Sequence, residues 1–261
     1  MAVHPFGMWH VGDSFYQAVD LEDEEDDQYQ EEDEKKVAVY ETSPPGVLSG
    51  DVLVVCVGTP ANMLVETFLQ LPSQHHAEII CTTAKQHDKK SNNKETCLLY
   101  QMDQIIICQC KTQVAPEDAH KWVEHILSAV QVKSVMVLSS QTKTSYHGDV
   151  EAKNSDEDVV RHVGTSWMTE NTTIVPRLEH GTVISDIPAA IMSYCEMFAV
   201  PAVLYVTFTE SHFVDVFTLK TLQVVLGDPL LRALPQLPKS VLAARLRDFE
   251  GVGVADNNLY I

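Results

Sequence analysis

A chain of 261 residues that is 45% hydrophobic can bury one sizeable core, and a net charge of -19 argues against nucleic-acid binding, which wants clustered Lys and Arg. No run approaches the roughly 18 apolar residues of a membrane-spanning helix, and residues 1–10 hold neither a basic leader nor an apolar signal core. Neither nucleic acid nor membrane is therefore expected as a partner, and the expected location is cytoplasmic or also nuclear. Six cysteines (Cys56, Cys81, Cys97, Cys108, Cys110 and Cys195) lie in apolar stretches that suit reduced, buried thiols better than a disulfide framework.

Eleven carboxylates fall in residues 20–34 with no basic residue among them, so the rest of the chain carries only eight of the nineteen net negative charges. A run this charged cannot offset its ordering entropy, and residues 1–36 are expected to form a disordered acidic arm. That arm reads as a solubilising tail or as a seeker of a basic surface. Residues 37–41 then read as a short strand and Ser43-Pro44-Pro45-Gly46 as a turn. Residues 51–57 are apolar on both faces, which marks a fully buried strand. Gly58 breaks it, and Thr59 is placed to cap a helix with Pro60 at its first position and apolar residues Met63, Leu64, Phe68 and Leu71 at helical spacing.

Residues 78–83, 96–102, 104–111 and 134–140 look like further strands, and residues 116–130 like an amphipathic helix carrying Trp122, Ile126 and Val130. The polar residues 141–158 read as a loop or insertion. Asp186 is placed to cap a second clear helix, with an apolar stripe through Ala190, Ile191, Tyr194 and Phe198 and a stop at Pro201. Its Ala189-Ala190 pair allows a close backbone approach and Tyr194 an amphipathic contact, so this helix meets either a partner subunit or the protein's own sheet. Residues 202–208 return as a strand, and residues 217–226 and 239–249 as helices. The alternation predicts an α/β sandwich with a central, largely parallel or mixed sheet flanked by helices. The expected organisation is one α/β domain over residues 37–249, with the polar insertion near 141–158, followed by a flexible tail over residues 250–261.

That tail ends in Leu259-Tyr260-Ile261 after a polar run containing Gly251 and Gly253. A hydrophobic residue, a tyrosine and a terminal carboxylate make a compact plug for a groove in another protein. About thirteen extended residues would reach roughly 40 Å.

The segment Ile187-Pro-Ala-Ala-Ile-Met-Ser-Tyr-Cys-Glu196 followed by Val200-Pro-Ala-Val-Leu-Tyr205 resembles the proteasome assembly chaperone family. So do Cys108-Gln-Cys110 ahead of Val114-Ala115 and Trp122, the strand-glycine-helix unit over residues 51–69, and the ending Asn258-Leu-Tyr-Ile261. The resemblance implies a non-enzymatic protein that pairs with a second, related assembly chaperone and sits on the proteasome α-subunit ring. It implies that Leu259 and Tyr260 anchor in a pocket between α subunits and that the carboxylate of Ile261 meets a pocket lysine, with no cofactor. It also implies an architecture similar to nucleoside phosphorylases and related hydrolases.

Two other classes compete with that reading. An α/β phosphorylase-like or hydrolase-like enzyme would use the Gly58-Thr59-Pro60-Ala61-Asn62 turn to hold a phosphate, although no Gly-x-Gly-x-x-Gly, Walker or nucleophile-elbow motif accompanies it. Such an enzyme predicts an open polar pocket at Gly58, whereas the chaperone predicts a filled one. A generic adaptor is the third class. Cys108 and Cys110 share a strand face, and His75-His76 adjoin, yet neither pair has the further ligands that a metal site needs. No metal or catalytic residue is expected.

Overall fold

A computed structural model of the protein describes residues 38–82, 96–155, 157–168, 174–210 and 214–255. The acidic arm and Leu259, Tyr260 and Ile261 lie outside the described residues. Among the described residues ten strands form in chain order: β1 (Val39–Ser43), β2 (Leu48–Ser49), β3 (Val52–Val57), β4 (Ala77–Thr82), β5 (Thr96–Met102), β6 (Ile105–Cys110), β7 (Val130–Gln131), β8 (Ser134–Thr142), β9 (Val159–Gly164) and β10 (Ala202–Thr209). Eight of them make one mixed sheet in the order β1-β4-β5-β6-β3-β8-β10-β9. Its centre, β6-β3-β8-β10, is parallel, and both flanks are antiparallel.

The central strands read as unbroken apolar runs because helices cover both of their sides. Successive residues of β3 divide between two cores: Leu53 and Val55 join Val135, Val137, Leu204 and Val206 on one face, while Val54 and Cys56 join Met136, Leu138, Val203 and Tyr205 on the other. The first face is closed by α2 (Ala119–Ala129), through Trp122, Val123 and Ile126, and by α4 (Asp186–Met197), through Ile187, Ile191 and Cys195. The second is closed by α1 (Thr59–Phe68), α5 (Val216–Leu222), α6 (Pro229–Arg232) and α7 (Lys239–Ala255). No described helix is long and apolar enough to cross a membrane.

Several helix ends differ from the sequence-based expectation for one physical reason, that backbone rather than side-chain groups set them. Gly58, not Thr59, is the N-cap of α1, in a left-handed conformation (φ 86) and with no capping side chain. The helix stops at Phe68 instead of reaching Leu71, because Leu69 turns extended to bridge Gln236. In α4 the cap is Ser185, and Asp186 is the first helical residue with a positive φ of 58.

The polar stretch near residues 141–158 is more ordered than a loop. Gln141 and Thr142 prolong β8, Val150–Asn154 forms the short helix α3, and Tyr146 and Lys143 are buried. Lys143 stays buried because its ammonium donates to the carbonyls of Ser155 and Glu157 and pairs with Glu210 at 3.4 Å. Likewise α7 runs on through Gly251 and Gly253, so the polar run expected to be tail is helix as far as Ala255. Six residues follow it, which could span about 20 Å when extended rather than 40 Å.

Gly58 is a sharp test of the β3-α1 turn. A Cβ there would meet Ser140 Oγ at an ordinary 3.5 Å, so the conformation rather than crowding selects glycine. Gly58→Ala is expected to destabilise the fold by about 1–3 kcal/mol in urea unfolding. A loss within error would mean that the turn relaxes to a negative φ at no cost.

Candidate interaction surface

The C-terminal turn of α4 ends in a Schellman closure. Val200 N–H donates to Cys195 O at 2.9 Å, Phe198 N–H to Tyr194 O at 3.0 Å, and Ala199 takes the left-handed position (φ 57) usually given to glycine. The helix therefore stops before Pro201 can end it, and Phe198 is turned outward instead of continuing the buried stripe. Ile187, Ile191 and Cys195 make the buried face, four residues apart.

The result is an exposed apolar turn. Met197 is 69% exposed and Phe198 58%, and the Phe198 ring stacks on Tyr194 with centroids 4.3 Å apart. Trp167, 52% exposed, is tied to the same turn: its indole N–H donates to Glu196 O at 3.2 Å, and Ser166 N–H donates to Glu196 Oε2 at 2.8 Å. The hydrogen bonds from the Ser166 hydroxyl and amide hold the Glu196 carboxyl below its usual range. Large apolar side chains gathered at one exposed, hydrogen-bonded turn are the surface chemistry of a protein-binding site. Ala190 and Tyr194 are half-exposed and also pack against the first core, and Ala189 is half-exposed beside them.

On the opposite face, α7 lies against α1. Leu242 and Leu246 pack on the second core, Arg245 donates to the carbonyl of Glu66, and just before the helix Leu237 N–H donates to Phe68 O at 2.9 Å. The helix that leads to Leu259, Tyr260 and Ile261 and the aromatic turn of α4 thus cover different faces of the sheet.

The turn at Gly58 is not filled, contrary to the expectation attached to a chaperone. Neighbouring strands β3 and β6 send their chains to opposite faces, into α1 and toward α2, and a crevice opens where they diverge. The cleft there holds about 650 Å³ and is lined by Gly58, Asn62, Glu66, Cys110, Lys111 and Asp186 among others. Lys111 and Glu66 pair across it at 2.7 Å, and Asn62 Nδ2 donates to Gly58 O and Cys110 O, each at 3.0 Å. A second cleft of about 640 Å³, on the β8 side of Gly58, is lined by Thr59, Ser140, Thr142, Ser145, Ser185 and Thr209 among others. Among the described residues no group of three or more His, Cys, Asp or Glu is placed to hold a metal.

Sequence reasoning marked Tyr194 and Phe198 but put Phe198 in the buried stripe, and it missed Trp167 and Met197. The available signal was the dense apolar sequence Tyr194 to Val200 interrupted only by Glu196, too long for the one face of a helix that ends at Met197.

A family model described as PAC1, Proteasome assembly chaperone 4, matches residues 10–261. The chain is 25% identical over 267 residues to Proteasome assembly chaperone 1 of Danio rerio, which covers 96% of this chain and 94% of that one. It is 24% identical over 156 residues to Proteasome assembly chaperone 1 of Homo sapiens, covering 58% of this chain and 54% of the other. The chain thus spans about half the length of the mammalian relatives it matches. Among solved structures, Pyrococcus furiosus PbaA in its monoclinic form, an archaeal homolog of proteasome-assembly chaperone, is similar with a TM-score of 0.57 over 84% of this chain and 92% of that one at 13% identity. Pyrococcus furiosus PbaB, an archaeal proteasome activator, gives a TM-score of 0.52 over 85% and 99% at 12% identity. These two likenesses establish a shared mixed α/β fold.

Proposed function

Because the chain belongs to the PAC1 family of proteasome assembly chaperones, we propose that it promotes assembly of the proteasome α-subunit ring as a heterodimer with a second, related chaperone. The observation that carries this reading is the aromatic turn of Trp167, Tyr194, Met197 and Phe198 on one face of the sheet, with the tail-bearing α7 on the other. One face is then free to meet the second chaperone while Leu259, Tyr260 and Ile261 enter a pocket between α subunits.

The energetics favour such a division. Burying a leucine and a tyrosine contributes about 3–5 kcal/mol, much of which is offset by ordering the peptide and by the entropy of association. A second tail supplied by the paired chaperone makes the next engagement intramolecular and raises affinity by roughly two to four orders of magnitude. Two tails at a fixed separation also measure the spacing of two pockets, which favours correctly joined α subunits over loose ones. Deleting Leu259, Tyr260 and Ile261 is expected to lower capture of α subunits at least tenfold in co-purification while pairing with the second chaperone persists. Undiminished capture would place ring recognition on the globular body.

One observation favours a second reading. The two clefts that flank Gly58 sit at the carboxyl ends of parallel strands, where α/β enzymes of the phosphorylase and hydrolase type hold small molecules. Turnover of a small molecule that survives deletion of the last three residues would support it.

A further inference from the structure

Antiparallel β5 and β6 are registered so that Cys97 lies directly opposite Cys110. Their sulfurs are 3.5 Å apart and share a hydrogen bond. Directly opposed residues on antiparallel strands have Cα atoms about 4.5 or 5.5 Å apart, and either distance lies within the range that a disulfide spans. Side-chain rotation can therefore bring the sulfurs to bonding distance while both strands stay in register.

Their surroundings separate this pair from the other thiols. Thr112 serves both sulfurs: Cys97 Sγ donates to its hydroxyl at 3.8 Å and Cys110 Sγ to its carbonyl at 3.6 Å. The indole N–H of Trp122 is fully buried in the same core cluster without a hydrogen-bond partner, and it also acts, as the smallest of several causes, to lower the Cys97 thiol. An unpaired buried donor is best satisfied when that sulfur becomes an anion. The hydrogen bond shared with Cys110, partly opposed by burial, brings the Cys97 thiol down to about 7, and the same bond pushes Cys110 up. By contrast, burial pushes up the thiols of Cys56 and Cys108, and that of Cys195 to about 11. Cys110, with Lys111 and Thr112, forms part of the wall of the 650 Å³ cleft, and Cys97 is buried beside it as its partner across the strand pair.

We propose that Cys97 and Cys110 are an oxidative modification site, a dithiol that a small hydroperoxide entering this cleft closes into a cross-strand disulfide. In the first step the Cys97 thiolate attacks a peroxide oxygen. The S–O bond forms as the O–O bond breaks, and the departing oxygen takes up the proton that Cys97 released. Cys97 is then a sulfenic acid. In the second step Cys110 sulfur attacks Cys97 Sγ, the S–S bond forms, the S–O bond breaks, and hydroxide leaves with the Cys110 proton as water. With hydrogen peroxide the balance is two thiols and one peroxide to one disulfide and two waters. The product ties β5 to β6 beside the cleft.

The test uses the full chain titrated with hydrogen peroxide, then denatured, alkylated at its remaining thiols and mapped by peptide mass spectrometry. Four of the six thiols are expected to stay free, with one peptide pair joined through Cys97 and Cys110, lighter by two hydrogens and restored by dithiothreitol. The initial rate of linkage should fall about tenfold between pH 8 and pH 6, as a thiol titrating near 7 requires. Cys97→Ser should abolish the link, and Cys108→Ser should leave it. The mapping on the unsubstituted chain decides the matter even where a variant folds poorly. Six free thiols at excess peroxide would overturn the proposal, and so would a link from Cys110 to Cys81 or Cys108, or over-oxidation of a single sulfur with no link.

Discussion

Met197→Asp combined with Phe198→Asp is expected to weaken pairing with the second chaperone at least 100-fold while the chain remains folded. Both side chains are mostly exposed, so removing them deletes little of the core, and their chief internal contact is the ring stack of Phe198 on Tyr194. Substitutions at such positions usually shift stability by about half a kcal/mol, with a similar addition for carboxylates at the negative end of a helix. In an interface the effect is far larger. Central aromatic and methionine contacts can cost 2 kcal/mol or more each when removed, and burying an unpaired carboxylate in their place adds repulsion. A combined loss of about 3 kcal/mol corresponds to roughly 100-fold in Kd. Titration calorimetry against the second chaperone measures it, with circular dichroism as the folding control. Unchanged affinity in a folded double variant would move the pairing face elsewhere on the molecule.

Asp228→Ala carries the largest expected effect on stability. The buried Tyr205 hydroxyl in β10 donates to Asp228 Oδ2 at 2.6 Å, and the other oxygen, Oδ1, accepts from Leu230 N–H at 2.9 Å and caps α6. Burial, reinforced by that hydrogen bond to a carboxylate, holds the Tyr205 hydroxyl far above its ordinary value, so it remains a donor at any pH where the protein folds. Losing Asp228 leaves the hydroxyl without its acceptor, at about 1–3 kcal/mol, and removes a cap, at about 0.5–2 kcal/mol. A total of about 1.5–5 kcal/mol should appear as a lower urea midpoint at unchanged slope. Asp228→Asn keeps one oxygen and is expected to lose about half as much. A loss below 1 kcal/mol for the alanine variant would show that Tyr205 finds another acceptor.

How far the sequence alone carries is clear from particular segments. The central strands were legible because residues 51–57, 134–140 and 202–208 are apolar on both faces, a pattern that a covered parallel strand requires and a half-solvated one does not. Helix ends were not, since Gly58 and Ser185 begin helices without a side-chain cap and Ala199 closes one in a conformation that alanine rarely adopts. The candidate surface was half legible. Helical spacing found Tyr194, but the exposure of Phe198 depends on where the Schellman closure falls, and that of Trp167 on hydrogen bonds to Glu196, 29 residues away. Strand alternation put Cys108 and Cys110 on one face, yet only the register of β5 against β6 brings Cys97 to Cys110. The crevice at Gly58 likewise follows from two adjacent strands sending their chains to opposite faces, which no local pattern records.

Native mass spectrometry of the full chain mixed with the second chaperone and proteasome α subunits tests the central claim most directly. The account predicts a one-to-one pair of chaperones and, beyond it, complexes in which that pair carries α subunits. Spectra in which the chain appears only free, or only with the second chaperone and never with an α subunit, would contradict it.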